Sequence, residues 1–185
     1  MQGAHMFIQT EDTPNPATVK FLPGQDVAPG QPMEFALGED CDPSPLAGRL
    51  MAISGVTGVY LGGDFVSVTK ADDWEWPHLK PSVLGAIMDH FMSGAPVIAT
   101  EAGAEEVFDD DEVTAKIREV IDTYIRPAVA RDGGDVELKG FEKGVVFLSM
   151  RGACAGCPSA TMTLKHGIEN MLRRQIPDVV EVRQV

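Results

Sequence analysis

With 185 residues, 44% of them apolar and 23% charged, the chain has the composition of one ordinary folded domain or two small ones and not that of a disordered protein. No apolar run approaches the roughly 18 residues of a membrane-spanning helix, so membrane insertion is not expected. The net charge of −13 is uneven, with 12 acidic against 4 basic residues over 1–92, 7 against none over 93–112 and 9 against 11 over 113–185; nucleic-acid binding through a phosphate-neutralising face is therefore disfavoured, and only the C-terminal part is not acidic.

Residues 1–5 read as an expression remnant, because a second methionine, Met6, leads at once into strand-like sequence. Neither a secretory signal nor an Arg-rich transit peptide is read there. Three cysteines, two of them in a ligand-like motif, argue against a compartment that forms structural disulfides. A reducing compartment is expected: a bacterial cytoplasm, or a mitochondrial matrix if a transit peptide has been removed.

An N-terminal domain is expected over 6–92. Residues 6–11 and 18–22 are short apolar and β-branched runs around Thr13-Pro14-Asn15-Pro16, which predicts a hairpin. A strand follows at Met33 to Leu37, then a helix from Pro45 to about Ile53 with Ser44 as N-cap and Gly55 beyond its end. Gly58 to Tyr60 and Phe65 to Thr69 make a second hairpin. From Lys80 to Met92, Val83, Leu84, Ile87, Met88 and Phe91 recur at helical spacing, and Gly94 ends the helix. Trp74 and Trp76 are read as aromatics closing a core in preference to a docking surface. His78 and His90 lack companions at ligand spacing and are read as structural or solvent-facing.

Over 93–112 periodicity fades and Glu101, Glu105, Glu106, Asp109, Asp110 and Asp111 accumulate, the pattern of a mobile, charge-extended linker whose last acids also suit the next helix N-terminus. The C-terminal domain, 113–185, opens with Val113, Ile117, Val120, Ile121, Tyr124 and Ile125 on one helical face, and Pro127 should end or kink that helix. Val136 to Gly140 and Val145 to Met150 predict a hairpin. A helix from Pro158 to about Arg174, with Leu164, Ile168, Met171 and Leu172 inward, and a last strand from Val179 complete the order helix, strand, strand, helix, strand. The fold class is α+β: two small layered domains joined by an acidic linker. Met150 and Met162 are read as packing residues.

Between the second of those strands and the last helix lies Arg151-Gly152-Ala153-Cys154-Ala155-Gly156-Cys157-Pro158-Ser159-Ala160. Thiolates are soft ligands for iron–sulfur clusters, zinc and Cu(I), and a C-x-x-C bend can aim both sulfurs at one centre. Pro158 suits the first helical position, which puts Cys157 at or beside the N-cap, where free N–H groups and the helix dipole favour a thiolate; Arg151 adds positive charge. The small residues leave room for a second copy of the loop. A cluster usually takes four protein thiolates and a closed zinc site four ligands, yet the third cysteine, Cys41, lies between Asp40 and Asp42, which disfavour its thiolate. His166, nine residues past Cys157, is roughly 13 Å away along a helix. One chain thus supplies half a site, expected at an exposed rim.

The segment from about Glu112 to Val185, with Tyr124-Ile125-Arg126-Pro127, Asp132-Gly133-Gly134-Asp135 and Gly152 to Ala160, resembles the C-terminal domain of NifU-type iron–sulfur proteins. The opening Met6-Phe7-Ile8-Gln9-Thr10-Glu11, with Thr13-Pro14-Asn15-Pro16 and Lys20-Phe21, resembles the N-terminal domain of the Nfu branch. The resemblance implies a scaffold or carrier, not an enzyme. It implies a [4Fe-4S] cluster, or a [2Fe-2S] one, held between two protomers by Cys154 and Cys157 of each, loaded by an upstream scaffold or donor and passed to client apoproteins by thiolate exchange. In that setting the linker would let the N-terminal domain move over or away from the cluster loop. Taken without the resemblance, the C-x-x-C pair leaves two alternatives open: a thiol–disulfide oxidoreductase and a zinc-stabilised dimeric interaction module.

Overall fold

A computed structural model describes residues 7–99, 111–155 and 158–185. Thr18-Val19-Lys20-Phe21 and Val66-Ser67-Val68-Thr69 alternate apolar and polar side chains with the two-residue period of a strand. Five such segments, β1 (Gln9–Asp12), β2 (Thr18–Leu22), β3 (Met33–Ala36), β4 (Val56–Leu61) and β5 (Val66–Lys70), form an antiparallel sheet in the order β1-β2-β5-β4-β3. Its inner face presents Val19, Phe21, Phe35, Val59, Leu61, Val66 and Val68 to two helices, α1 (Pro45–Met51) and α2 (Trp76–Ser93), whose Leu46, Leu50, Leu79, Val83 and Ile87 complete the core.

Local chemistry sets the helix ends. The Ser44 hydroxyl accepts from the Ala47 N–H at the start of α1, and Gly94 closes α2 with a left-handed φ of 72°. Helix α2 starts ahead of the expected Lys80, because Pro77 falls in its first turn, where a proline has no hydrogen bond to lose. Trp74 and Trp76 pack at the edge of the core, and His90 is fully buried. Within the segment expected to be a linker, Val97 and Ile98 also pack on this core; the Val97 carbonyl accepts from Ser44 Oγ at 2.6 Å, and Ala99 N–H donates to Pro43 O at 2.8 Å. The acids from Glu101 to Asp110 lie outside the described residues.

The C-terminal half begins with α3 (Glu112–Val120), capped by the Asp111 carboxylate accepting from Thr114 N at 2.8 Å. Pro127 does not end the helix. A π turn (Ile121–Ile125), closed by Arg126 N–H donating to the Ile121 carbonyl, precedes α4 (Arg126–Arg131), so the proline enters the first turn of a new helical register. The chain then forms β6 (Gly134–Glu142), β7 (Val145–Gly152), α5 (Pro158–Gln175) and β8 (Glu181–Gln184), giving a sheet in the order β6-β7-β8 with β6 and β7 antiparallel and β7 and β8 parallel. Ile117, Ile121, Ile125, Val136, Leu148, Met150, Ile168, Leu172 and Val182 form its core. The architecture is α+β in both halves, as expected. Four side chains depart from the expectation: Met88 is 36% exposed, Tyr124 55%, Met171 37% and Met162 62%.

Candidate functional site

Strand β7 runs directly into the cysteine loop, and the loop is held by its own backbone. Gly152 has a φ of 63°, and a Cβ there would stand 2.7 Å from the Gly133 carbonyl. Gly133, in the turn before β6, has a φ of 76°, and its carbonyl accepts from Ala153 N at 3.2 Å. At Gly134 a Cβ would collide with Cys154 Sγ, so this glycine is the floor on which the sulfur rests. From α5, Thr161 Oγ1 donates to the Cys154 carbonyl at 2.9 Å. Cys157 and the side chains of residues 158–160 lie outside the described residues, and the expectations for Cys157 as helix cap and ligand fall there.

The described part of the loop, Gly152 to Ala155, is not at an open rim. Cys154 is only 7% exposed: its side chain packs in the core of the C-terminal half, and the outer face of the N-terminal sheet meets the backbone on either side of it. In the strand register, Lys20 pairs with Ser67, Ser67 with Tyr60 and Tyr60 with Glu34, one polar row across four strands. Lys20 Nζ donates to the Ala130 carbonyl at 2.8 Å at the end of α4, where a helix favours a cation. Ser67 Oγ donates to the Gly133 carbonyl at 2.6 Å, and Glu34 Oε1 accepts from Gly152 N at 3.2 Å. The buried Tyr60 hydroxyl lies beside Asp135. Asn15, in the first turn of the chain, donates from Nδ2 to the Ala155 carbonyl at 3.3 Å.

Burial sets the electrostatics at Cys154. The Cys154 thiol is pushed up to about 12, chiefly by desolvation and then by the negative charges of Asp132 and Asp135. The Arg151 guanidinium is paired with Glu137 on the neighbouring strand. Arg126 grips Asp135 through two hydrogen bonds of 2.9 Å and reaches Asp122 at 3.2 Å, which fixes the turn that carries Gly134. In this arrangement Cys154 is a protonated, sheltered thiol.

Cys41 behaves as expected, its thiol pKa raised by desolvation and then by Asp40, Glu39 and Asp42. His78 and His166 are exposed, and no group of three or more His, Cys, Asp or Glu able to hold a metal occurs among the described residues. The sequence signal for Lys20, Ser67, Tyr60 and Glu34 is the polar half of each strand's alternation, which ordinarily denotes a solvent face. That half is covered here, and Lys20 and Ser67 are buried.

Residues 8–94 match the family described as scaffold protein Nfu/NifU N terminal, and residues 117–183 match the NifU-like domain. The human protein named NFU1 iron-sulfur cluster scaffold homolog, mitochondrial, is 49% identical over 187 residues, covering 98% of this chain and 72% of that protein. Its namesake in Drosophila virilis is 48% identical over 184 residues, 97% of this chain and 62% of that protein. This chain thus spans a little under two thirds of that fly relative. A solution structure of a NifU-like protein from Saccharomyces cerevisiae aligns with a TM-score of 0.48 at 23% identity, covering 55% of this chain and 92% of that one.

Proposed function

The chain belongs to the Nfu-type iron–sulfur scaffold family, with both the N-terminal and the NifU-like domain, and from that premise we propose that it carries an iron–sulfur cluster as cargo, held between two copies by Cys154 and Cys157 of each. The observation that carries this reading is a stoichiometric one. A chain with one C-x-x-C pair and a third cysteine set among acids offers two thiolates to a cargo that takes four. A [4Fe-4S] cluster meets that count, and a [2Fe-2S] cluster meets it equally.

The chemistry is ligand exchange and needs no catalytic residue. Thiolates bind iron, so Cys154 must leave its shelter and lose its proton before it can ligate. Client thiolates then displace the four sulfurs one at a time, and because each copy supplies half of them, release of the cluster accompanies separation of the two copies. An upstream scaffold or donor loads the protein, and apoproteins receive the cargo. A reducing compartment suits these free thiols; the relatives carry mitochondrial names, which favours the mitochondrial matrix over a bacterial cytoplasm. The dithiol-oxidoreductase alternative is disfavoured at Cys154, since an attacking cysteine has a lowered pKa and this one is raised.

Anaerobic reconstitution with iron and sulfide tests the proposal and separates it from a zinc-bridged dimer, which would be colourless. Wild type and Cys41→Ala are expected to turn brown and retain iron, while Cys154→Ala and Cys157→Ala each lose it. Equal iron retention in all of these variants would overturn the site.

A further inference from the structure

The cover over the base of the cysteine loop is built in a way that the fold of the N-terminal domain does not require. The inner face of its sheet already has the core and both helices, and the outer face could be left to solvent, as one face of an antiparallel sheet commonly is. Instead the row of Lys20, Ser67, Tyr60 and Glu34 meets one short stretch of the other half: the end of α4, the Gly133-Gly134 turn and Gly152. Each hydrogen bond from Lys20, Ser67 and Glu34 goes to a main-chain group, so recognition is of the loop's backbone shape. Gly133 fits this reading: a Cβ on it would stand 3.0 Å from both Ser67 Oγ and Thr13 Cγ2. The glycine that lets the turn form also lets the sheet approach.

The contact is also one that can let go. It is made largely of polar and charged groups, and ordering Lys20 and Glu34 there offsets much of what their hydrogen bonds contribute. A cleft of about 370 Å³ remains beside it, lined by Tyr60 and Phe65 on one side and by Arg126, Pro127 and Ala130 on the other. Interfaces within a chain that are polar and incompletely packed open readily.

We propose that the outer face of the N-terminal sheet is a docking surface for the chain's own cysteine loop, and that a second copy of the chain must displace it before the two loops can meet. The two occupants are mutually exclusive, since a second loop brought against this one needs the approach over Gly152, where Tyr60 of the sheet stands 3.2 Å from the position of a Cβ. The unloaded chain is closed over its thiol; the loaded dimer has the row free. The second half of this proposal rests on the shared-cluster reading above, and the first half does not.

Alkylation of the unloaded full chain with iodoacetamide, resolved by peptide mass spectrometry, tests the closure. Cys41, part-exposed and not hydrogen-bonded to any residue of the row, provides an internal reference. In wild type Cys154 is expected to react at least about tenfold more slowly than in urea-unfolded chain; equal rates would overturn the proposal outright. Ser67→Asp sets a carboxylate against the Gly133 carbonyl yet faces solvent once the sheet undocks, so it is expected to speed Cys154 about tenfold with Cys41 unchanged. An unchanged Cys154 rate would also overturn it. Should Cys41 accelerate too, marking loss of fold, Lys20→Met is the deciding variant, with the same two outcomes. Acylation of Lys20 in the brown, loaded protein then reads the coupling: labelling faster than in unloaded chain supports displacement, and equal protection refutes it. If no cluster binds at all, the shared-cluster reading fails while the alkylation result stands by itself.

Discussion

The two faces of the N-terminal sheet are made of the same strands and do different things. Phe21 and Val68 point inward to a dry core that nothing but unfolding opens, whereas Lys20 and Ser67, their immediate neighbours in sequence, point outward to carbonyl oxygens of another part of the chain. The period of two that makes a strand also divides permanent packing from a contact that can be exchanged. Apolar burial gives the first its strength and charge-bearing hydrogen bonds give the second its reversibility.

Truncating the inner face should have the largest effect. Phe21→Ala removes a fully buried ring, and a loss of about 3–5 kcal/mol is expected in urea unfolding followed by Trp74 and Trp76 fluorescence. Next comes the floor under the sulfur. Gly134→Ala brings a methyl against Cys154 Sγ and to 2.9 Å from the Arg151 carbonyl, so about 1–3 kcal/mol should be lost from the C-terminal half and the sulfur pushed outward, read as faster alkylation. If Cys154 stays as protected as in wild type, the glycine is not what seats it.

His90 gives the inner side a pH signature. Burial, then the charge of Arg49, holds its pKa below the ordinary 6.5, so the folded chain keeps it neutral. Its contribution to stability is present above about 6.5 and is lost as pH falls through that value toward the lower folded pKa. The unfolding midpoint of the N-terminal half should drop on acidification, and His90→Leu should remove that slope. The smallest effect belongs to the outer face. Burial raises the Glu34 carboxyl pKa, with Glu39 and Asp135 adding to the rise while the Gly152 N–H and Arg151 oppose it. Docking therefore favours the protonated form and is weakest above the carboxylate range. At fixed neutral pH, Glu34→Gln keeps the acceptor without the charge and should slow Cys154 alkylation modestly; acceleration would contradict the assignment.

Much of this was legible in the sequence where the signal is local. Ser44 and Gly94 mark helix ends because capping is a matter of one or two residues, and the short β-branched runs between turn residues located every member of the larger sheet. The cysteine loop was found from its spacing and small residues. What failed was reach. Pro127 reads as a stop or a kink, and the π turn that decides between them has Ile121 and Ile125 both in the core. The cover on the cysteine loop comes from residues more than eighty positions away, and no pattern around the cysteine announces that Ser67 and Lys20 will lie over the Gly133 turn and the end of α4. Arg151 looked like a partner for the thiolate because it is near in sequence, but the pleat of β7 gives it Glu137 instead.

One measurement bears most directly on the central claim that two chains share one cargo: light scattering with iron and sulfide analysis on anaerobically loaded, full-length protein. A mass of two chains with about four irons per pair for a [4Fe-4S] cluster or about two for a [2Fe-2S] one, returning to one chain as the brown colour is chelated away, is the expected result. A loaded species with the mass of a single chain and its iron and sulfide intact would contradict it.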